Sequence, residues 1–263
     1  LLAFGIYSAV AMLERDRFPE QAAAAPRGSG NSIAVLAFDN FDGQAQTDYF
    51  SSGLAEEILN LLAGIREMNV AARTSSFQFR GERVDVREVA RTLGVSHVLE
   101  GSVRIEGARI RATVQLINGS NGYNEWSKAF DRDLADVFAI QREIANAVVT
   151  ELKLALSLDS KQQLQTEQTE NVDAYLLYLQ ARDKLLSSPE ESVAMEAGKL
   201  FAQALQIDPD FSRAHAGVCE VSLHLYQLSS DTREFSKAEA ACNEAAKRDP
   251  GRNSEIYLAL ARL

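Results

Sequence analysis

Residues 108–117 of this 263-residue chain read ARIRATVQLI, and the strict alternation in this stretch decides the fold class. Apolar residues occupy the even positions from Ala108 to Leu116, and polar residues occupy the odd positions from Arg109 to Gln115. Successive side chains of a β-strand point to opposite faces of the sheet. The pattern therefore predicts a strand with one face in a core and the other toward solvent.

The segments that flank this strand predict a sheet. Residues 95–105 precede it, and Glu106-Gly107 supplies the tight turn of a hairpin. Residues 123–131 follow a turn rich in Asn and Gly, and they predict a third antiparallel strand. The apolar run at 33–38 is short and continuous, which is typical of a strand buried on both faces.

Helical patterns alternate with these strands. Phe50, Leu54, Ile58, Leu61 and Ile65 recur at steps of four, four, three and four, which is one face of a helix. The other expected elements are a strand at 68–72, a helix at 86–93 that ends at Gly94, and a helix at 137–152. The order β-α-β-α-β-β-β-α predicts an α/β two-layer sandwich with a mixed sheet at 32–158.

Composition and charge restrict the function classes. Apolar residues make up 46% and charged residues 24%, as in a globular protein, which excludes wholesale disorder. The formal net charge of −10 argues against a nucleic-acid surface on this chain. P-loop, dinucleotide-binding, nucleophile-elbow and kinase motifs are all absent from the sequence. We therefore expect no catalytic residue, no metal, no cofactor and no enzymatic activity in this chain.

The first 31 residues predict a membrane attachment. Residues 1–13 carry no charge, but they span only about 20 Å as a helix, whereas a bilayer needs about 20 residues. We favour the end of a transmembrane helix over a core helix or a signal-peptide core. Residues 14–31 predict an exposed linker because they are rich in Pro, Ala and Gly. A second, polar linker is expected at 159–171.

An internal repeat marks the last third of the chain. Four residues recur with an offset of 41: Ala197, Phe201, Ala204 and Pro209 return as Ala238, Cys242, Ala245 and Pro250. This spacing resembles the second helix of a tetratricopeptide repeat, whose usual period is 34. Residues 228–234 provide a longer turn for the seven extra residues. Residues 172–263 are thus expected to form an all-α tetratricopeptide solenoid, with first helices at 175–186, 211–226 and 256–263 and an incomplete last repeat.

The α/β segment resembles a known family in several blocks. These are SIAVLAFDNF at 32–41, DYFSSGLAEEILNLLA at 48–63, VREVARTLGVSHVLEGSVR at 86–104 and GYNEWSKAFDRDLADVFAIQREIA at 122–145. They are similar to the TolB amino-terminal-like domain, related to FlgO. The resemblance implies an extracytoplasmic domain of a bacterial membrane protein, often followed by tetratricopeptide repeats. Upstream, such proteins often carry a winged-helix domain as in CadC-type regulators, a class III nucleotide cyclase or a protein kinase.

The combined expectation is a non-catalytic sensor region. It would lie in the periplasm as part of a single-pass protein of the bacterial inner membrane, attached through the N-terminal helix. It would bind a protein or peptide partner and take part in signal transduction. Two alternatives stay open: a stand-alone envelope scaffold, and the regulatory half of a membrane-bound nucleotide cyclase or kinase.

Cysteine and histidine give few candidate sites. In the repeat register, Cys219 and Cys242 face the same helix–helix seam, which favours a disulfide in an oxidising envelope compartment. Two buried thiols that only fill space are the alternative. His215, Cys219 and His224 share one helix, but His224 falls on the opposite side, so a metal site is not expected. His97 has no sequence partner that suggests catalysis.

Two sets of polar residues are candidates for partner contacts. Arg73, Thr74, Ser75 and Ser76 follow a short strand, and ligands commonly bind at the carboxyl ends of strands in α/β sheets. A polar loop is the alternative explanation for that set. Arg213, Glu220 and His224 are expected to line the concave groove of the repeats, where a peptide would bind.

Overall fold

The computed structural model describes residues 31–41, 47–81, 84–164, 169 and 171–249. The expected membrane-helix end at 1–13, nearly all of the linker at 14–31 and the last repeat helix at 256–263 lie outside the described residues. Within the described ranges, no helix combines the length and the apolar character that a membrane span requires.

The strands and helices alternate in the first part of the chain and are followed by helices alone. The strands are β1 (Ser32–Val35), β2 (Asp39–Asn40), β3 (Asn69–Val70), β4 (His97–Glu106), β5 (Arg109–Asn118) and β6 (Asn124–Asp133). The helices are α1 (Asp48–Ala63), α2 (Arg73–Phe77), α3 (Val86–Leu93), α4 (Val137–Glu151), α5 (Leu158–Gln163), α6 (Val172–Ser187), α7 (Glu191–Ile207), α8 (Ser212–Ser229) and α9 (Thr232–Arg248).

The sheet is mixed, as the sequence predicts. Its order is β3-β1-β4-β5-β6, and β2 also pairs with β4. β1 pairs with β3 and β4 in parallel, whereas β4–β5 and β5–β6 are antiparallel. The turn between β4 and β5 uses Gly107 and Ala108 rather than Glu106 and Gly107, and Gly107 has a φ of +60°. Ala108 is consequently exposed, while Ile110 and the apolar residues that alternate after it are buried.

The predicted strand at 33–38 is interrupted. Ile33 pairs with His97, and Asn40 pairs with Val103. The segment between Ile33 and Asn40 is therefore one residue longer than the segment between His97 and Val103. β1 therefore ends at Val35, and the chain returns to the sheet only as β2.

The two faces of the sheet are covered unequally. Leu99 belongs to the main core together with residues of α1 and α4, such as Leu54 and Ile144. Its neighbour Val98 points to the opposite face, where it packs in a small cluster with Val89 of α3. One face of the sheet thus packs against helices, as the predicted two-layer arrangement requires. On the other face, α3 covers only one end. Gly94 ends α3 in the left-handed conformation, with a φ of +66°, as expected.

Part of the segment expected as a linker at 159–171 is folded. It contains α5, and Leu164 is buried in the main core. The carboxylate of Glu67 accepts hydrogen bonds from the Ser160 hydroxyl (2.7 Å) and the Ser157 N–H (2.9 Å), which together lower the pKa of Glu67 to about 2. These bonds attach the start of α5 to the α/β layer.

The last four described helices, α6 to α9, pack next to one another in chain order. Three of the four positions related by the offset of 41 are fully buried in both copies: Ala197, Phe201, Ala204, Ala238, Cys242 and Ala245. The spacing therefore marks equivalent buried positions in α7 and α9. The tetratricopeptide assignment itself stays a prediction.

The α/β layer and the helices α6, α7 and α8 share one continuous core. The main cluster runs from Ile33 in the sheet to Phe211 beside α8. At the contact of α1 with α6, Gly53 leaves space for Leu179, because a Cβ atom on Gly53 would lie 2.6 Å from Leu179 Cδ2. Helix α1 is consequently packed on both sides, against the sheet and against α6.

Candidate functional site

A chain of ion pairs links the α/β layer to the helical pairs. Arg73 Nε of α2 lies 2.9 Å from Glu56 Oε2 of α1. Arg182 of α6 places Nη2 2.9 Å from Glu56 Oε1 and Nη1 3.0 Å from Glu220 Oε2 of α8. We call these four residues the interlayer ion-pair chain. Their side chains are between 8% and 26% exposed, so solvent screens the charges only weakly.

A second buried pair lies beside this chain. Arg213 of α8 donates to Glu57 of α1, and its guanidinium lies 4.7 Å from the ring centroid of Tyr178. Arg213 is only 2% exposed. Gln141 of α4 donates a hydrogen bond of 2.6 Å to the hydroxyl of Tyr175 of α6. Burial, with a smaller contribution from the charge of Glu57, raises the pKa of Tyr175 well above its usual value, so this hydroxyl stays protonated.

Buried charges make this contact sensitive to change. Loss of one partner from a buried ion pair typically costs about 3–5 kcal/mol because the other charge is left uncompensated. Four different helices, α1, α2, α6 and α8, contribute to these ion pairs. A shift of any one helix therefore alters the charge balance at the others.

The structure brings together some of the residues expected at partner sites, in a role that the sequence does not predict. Arg213 and Glu220 were expected to line an open concave groove. This prediction is wrong for both, because their side chains are engaged by Glu57 of α1 and Arg182 of α6, respectively. His224 lies apart from them, with Nε2 2.8 Å from the carbonyl oxygen of Pro189.

The segment expected as a ligand loop after β3 is the short helix α2. Arg73 belongs to the interlayer ion-pair chain and stacks on Phe77, 4.6 Å from the ring centroid. Thr74 is exposed and Ser75 is half-buried, whereas Ser76 is fully buried. The segment thus forms part of the fold around α1, and Thr74 presents the most accessible side chain of the predicted set.

Cys219 and Cys242 form a disulfide in the structure. The Cα atoms are 5.2 Å apart, and both side chains are fully buried between α8 and α9. His215 lies apart from this seam, with Nε2 2.9 Å from the carbonyl oxygen of Pro209. Among the described residues, no three His, Cys, Asp or Glu side chains converge as metal ligands would.

His97 has partners that resemble a catalytic triad. Its Nδ1 lies 3.0 Å from Ser96 Oγ, and its Nε2 lies 3.1 Å from Glu125 Oε2. The Ser96 hydroxyl, however, donates a hydrogen bond of 2.7 Å to the carbonyl oxygen of Ser32. The Ser96 hydroxyl is thus engaged by β1, and this cluster ties β4 to β1.

Glu56, Glu57 and Arg182 are the functional candidates that sequence reasoning missed. Glu57 follows Leu54 by three positions and directly precedes Ile58, so it falls within the apolar face of α1. An acidic residue on the buried face of a helix was the available signal. Its partner could not be found from the same pattern, because Arg213 is 156 positions away.

Comparison with known proteins gives one relative. No protein-family profile matches the chain. A protein named "Putative adenylate cyclase 3" from Rhizobium meliloti (strain 1021) is 37% identical over 213 residues. The match covers 80% of this chain, and the chain spans only 36% of the length of that relative.

Several solved structures are similar to part of this chain. TolB from Acinetobacter baumannii has a TM-score of 0.36 at 12% identity, with 52% of this chain and 32% of that chain covered. The PelC dodecamer from Paraburkholderia phytofirmans has a TM-score of 0.33 at 21% identity, with 50% and 92% covered. The LpoB C-terminal domain from Escherichia coli has a TM-score of 0.31 at 15% identity, with 47% and 93% covered. All three TM-scores lie below the level at which the likeness would define this fold.

Proposed function

We propose that this chain is the non-catalytic regulatory region of a bacterial adenylate cyclase and that it responds to a protein or peptide partner. The observation that carries the proposal is the 37% identity over 213 residues with a protein named as an adenylate cyclase. The matched region is a minor part of that protein, at 36% of its length. The remaining length has ample room for a separate catalytic domain.

The residues of this chain support a regulatory role. At the junction of the α/β layer with the helices that follow it, the buried charges of the described residues form ion pairs between helices. Such a junction can transmit a partner's position, because packed interfaces tend to switch between discrete arrangements and do not deform continuously. A partner that displaces α6 would move Arg182, and through Glu56 it would move α1 beneath the sheet.

The disulfide supports a location in the cell envelope. Cystine bridges form and persist in oxidising compartments such as the bacterial periplasm, and they are rare in the cytosol. The Cys219–Cys242 bond is fully buried and bridges two helices, α8 and α9. We therefore propose that this region lies in the periplasm, with its catalytic partner domain across the inner membrane and residues 1–13 as part of the anchor.

The test measures cyclic AMP in two settings. The purified 263-residue chain, supplied with Mg²⁺ and ATP, is expected to form none. In membranes that contain the full-length protein, Arg182→Met is expected to change cyclic AMP output several-fold at constant protein amount. Arg109→Met is the matched control, because Arg109 pairs with Asp131 on an exposed hairpin. Cyclic AMP formation by the chain alone would refute the proposal, as would unchanged output after deletion of the region.

An envelope scaffold is the second candidate, and the continuous core favours it. The sheet, α1 and the helices α6, α7 and α8 share one apolar cluster, which suits a rigid platform. A scaffold predicts that Arg182→Met leaves cyclic AMP output unchanged while it weakens the capture of an envelope partner. The same membranes can be used for both measurements.

A further inference from the structure

A cavity of about 390 Å³ lies on the second face of the sheet, away from α1 and α4. Glu100, Ser102, Thr113 and Gln115 of β4 and β5 contribute to its floor, and the segment that includes Asp39 forms one wall. Phe41, Phe79 and Arg80 also line it. This volume is within the range of small-molecule sites, which are typically about 300–1,000 Å³. The interrupted strand creates the wall, because the chain leaves the sheet after Val35 and returns at Asp39.

Two carboxylates in the cavity have no charge partner. Neither Asp39 nor Glu100 makes an ion pair or a side-chain hydrogen bond with another described residue. Arg80 also lines the cavity, but its Nη2 lies 3.7 Å from Oδ2 of Asp48, a residue that is not part of the lining. Gln115 accepts a hydrogen bond of 2.9 Å from Asn124 Nδ2, so its amide is already held in place.

The carboxylate of Glu100 is strained electrostatically. Its side chain is half-buried on β4, and Asp39 lies close by, since Asp39 pairs with Ser102, two residues further along the same strand. Burial, and then the negative charge of Asp39, raise the pKa of Glu100. A cation placed between the two carboxylates would relieve both effects.

Aromatic rings indicate what kind of cation fits. Phe41 is 68% exposed, an unusual position for a large apolar side chain, and Phe79 lies on the cavity lining with it. Aromatic faces attract alkylammonium and guanidinium groups, whereas a small hydrated metal ion gains nothing from an apolar wall. Two carboxylates are also fewer than the six or more oxygen ligands that Ca²⁺ takes.

We propose that this cavity binds an organic cation, with its alkylammonium or guanidinium group between Asp39 and Glu100 and its apolar part against Phe41 and Phe79. The cationic group can belong to a free amine or to a Lys or Arg side chain of a polypeptide. Both sources present the same chemistry to the two carboxylates. The site lies on the opposite face of the sheet from the interlayer ion-pair chain, so it is separate from the contact discussed above.

Isothermal titration calorimetry on the 263-residue chain at pH 8 tests this site with three probes. Agmatine represents a free amine, N-acetyl-lysine methylamide represents a polypeptide side chain, and N-acetyl-norleucine methylamide is the neutral isostere. We expect at least one cation to bind at least tenfold more tightly than the neutral probe. Glu100→Gln and Asp39→Asn are each expected to weaken that binding at least tenfold. Glu106→Gln is the matched control, because Glu106 is on the same strand and outside the cavity lining.

Each outcome decides the proposal. Preference for agmatine identifies a free amine, and preference for the lysine derivative identifies a polypeptide. Equal affinity for the neutral probe, full affinity in Glu100→Gln or in Asp39→Asn, or no binding at millimolar concentration would overturn the site. Glu100→Gln is expected to melt at the same or a higher temperature than the parent, because it removes an unmatched charge. If it does not fold, Asp39→Asn gives the same decision from an exposed position.

Discussion

The helical pair α6–α7 and the helical pair α8–α9 are built on the same spacing but are stabilised in different ways. Phe201 of α7 packs on Tyr178, with ring centroids 5.9 Å apart, and this contact is part of the main core. At the equivalent position, 41 residues later, α9 has Cys242, which is bonded to Cys219. Helix α6 of the first pair packs on α1 of the α/β layer. In the second pair, α8 contacts the same layer through Arg213, and a covalent bond joins α9 to α8.

The difference shows how the surroundings of a repeat decide what stabilises it. The buried seam of the second pair consists of Cys219, Leu223, Ala238, Ala241 and Cys242, and the half-buried rings of Tyr226 and Phe235 pack between the same two helices. Small residues provide only a modest hydrophobic contribution, since this term scales with buried apolar area. Where a buried seam holds mostly small residues, a cross-link that restricts the unfolded chain is an effective substitute.

The largest expected effect is the loss of the aromatic contact in the first pair. Phe201→Ala is expected to lower the free energy of unfolding by about 3–5 kcal/mol, because it removes a fully buried ring and leaves a cavity. Urea denaturation followed by circular dichroism measures it. Met195→Ala, on the same helix but 49% exposed, is the control and should stay within about 0.5 kcal/mol of the parent. A loss below about 1 kcal/mol in Phe201→Ala would contradict the assigned role.

Reduction of the disulfide is expected to have a slightly smaller effect, concentrated in the second pair. Cys219 and Cys242 are 23 positions apart, and closure of a loop of that size stabilises by about 3 kcal/mol in the chain-entropy model. Hydrogen exchange before and after reduction should show lost amide protection in α9 and retained protection in α6 and α7. Equal loss in all four helices would mean that the two pairs are one cooperative unit.

The close contact of Gly217 with Phe201 sharpens the comparison further. A Cβ atom on Gly217 of α8 would lie 2.4 Å from Phe201 Cε1 and Cζ, so Gly217→Ala is expected to destabilise by about 1–3 kcal/mol through overpacking. Gly198→Ala is the control, because its Cβ atom would meet only Val221 Cγ1, at 3.1 Å. The double variant Gly217→Ala/Phe201→Leu should recover part of the loss in urea denaturation. No recovery would assign the effect to the helix backbone.

The smallest expected effect concerns the starts of α7 and α9. Asp231 caps α9 by accepting a hydrogen bond of 2.9 Å from the Arg233 N–H, whereas Glu190 makes no capping bond at the start of α7. Asp231→Ala should therefore lower the melting temperature at pH 7 more than Glu190→Ala does. Hydrogen bonds from the Arg233 side chain and N–H lower the pKa of Asp231.

The pH dependence of that difference has a defined sign. Because the pKa of Asp231 is lower in the folded chain than its usual value of 3.8, its stabilisation is present above pH 3.8 and is lost as the pH falls further. The melting temperatures of the parent and Asp231→Ala should thus converge in acid. A gap that stays constant down to the acid limit would rule out the carboxylate as its source.

Local features of the fold could be predicted from the sequence because short patterns encode them. The alternation after Arg109 predicts β5, and the spacing from Phe50 to Ile58 predicts α1. Gly94 predicts the end of α3, where it adopts the left-handed conformation. The break between β1 and β2 could not be predicted, since the apolar run continues through it. It depends on how Asn40 pairs with a strand far along the chain.

The candidate sites were harder to predict because they join distant residues. Glu56 and Arg182 are 126 positions apart, and nothing in either local sequence indicates the other. Arg213 and Glu220 were placed on an open groove because the repeat register says which helix face they share. It does not say that α1 covers that face. Asp39 and Glu100 likewise meet only through the parallel pairing of β2 with β4.

The position of α1 between two layers also has a consequence for the order of events during synthesis. Glu57 leaves the ribosome 156 residues before Arg213, the cation that it pairs with in the folded chain, and Glu56 leaves it 126 residues before Arg182. Glu56 can pair with Arg73 early, but until Arg213 arrives a nascent α1 must keep the Glu57 carboxylate hydrated on the surface that it will later bury. The strands of the sheet can pair early, but the packing of α6 and α8 on α1 must follow the synthesis of Arg182 and Arg213.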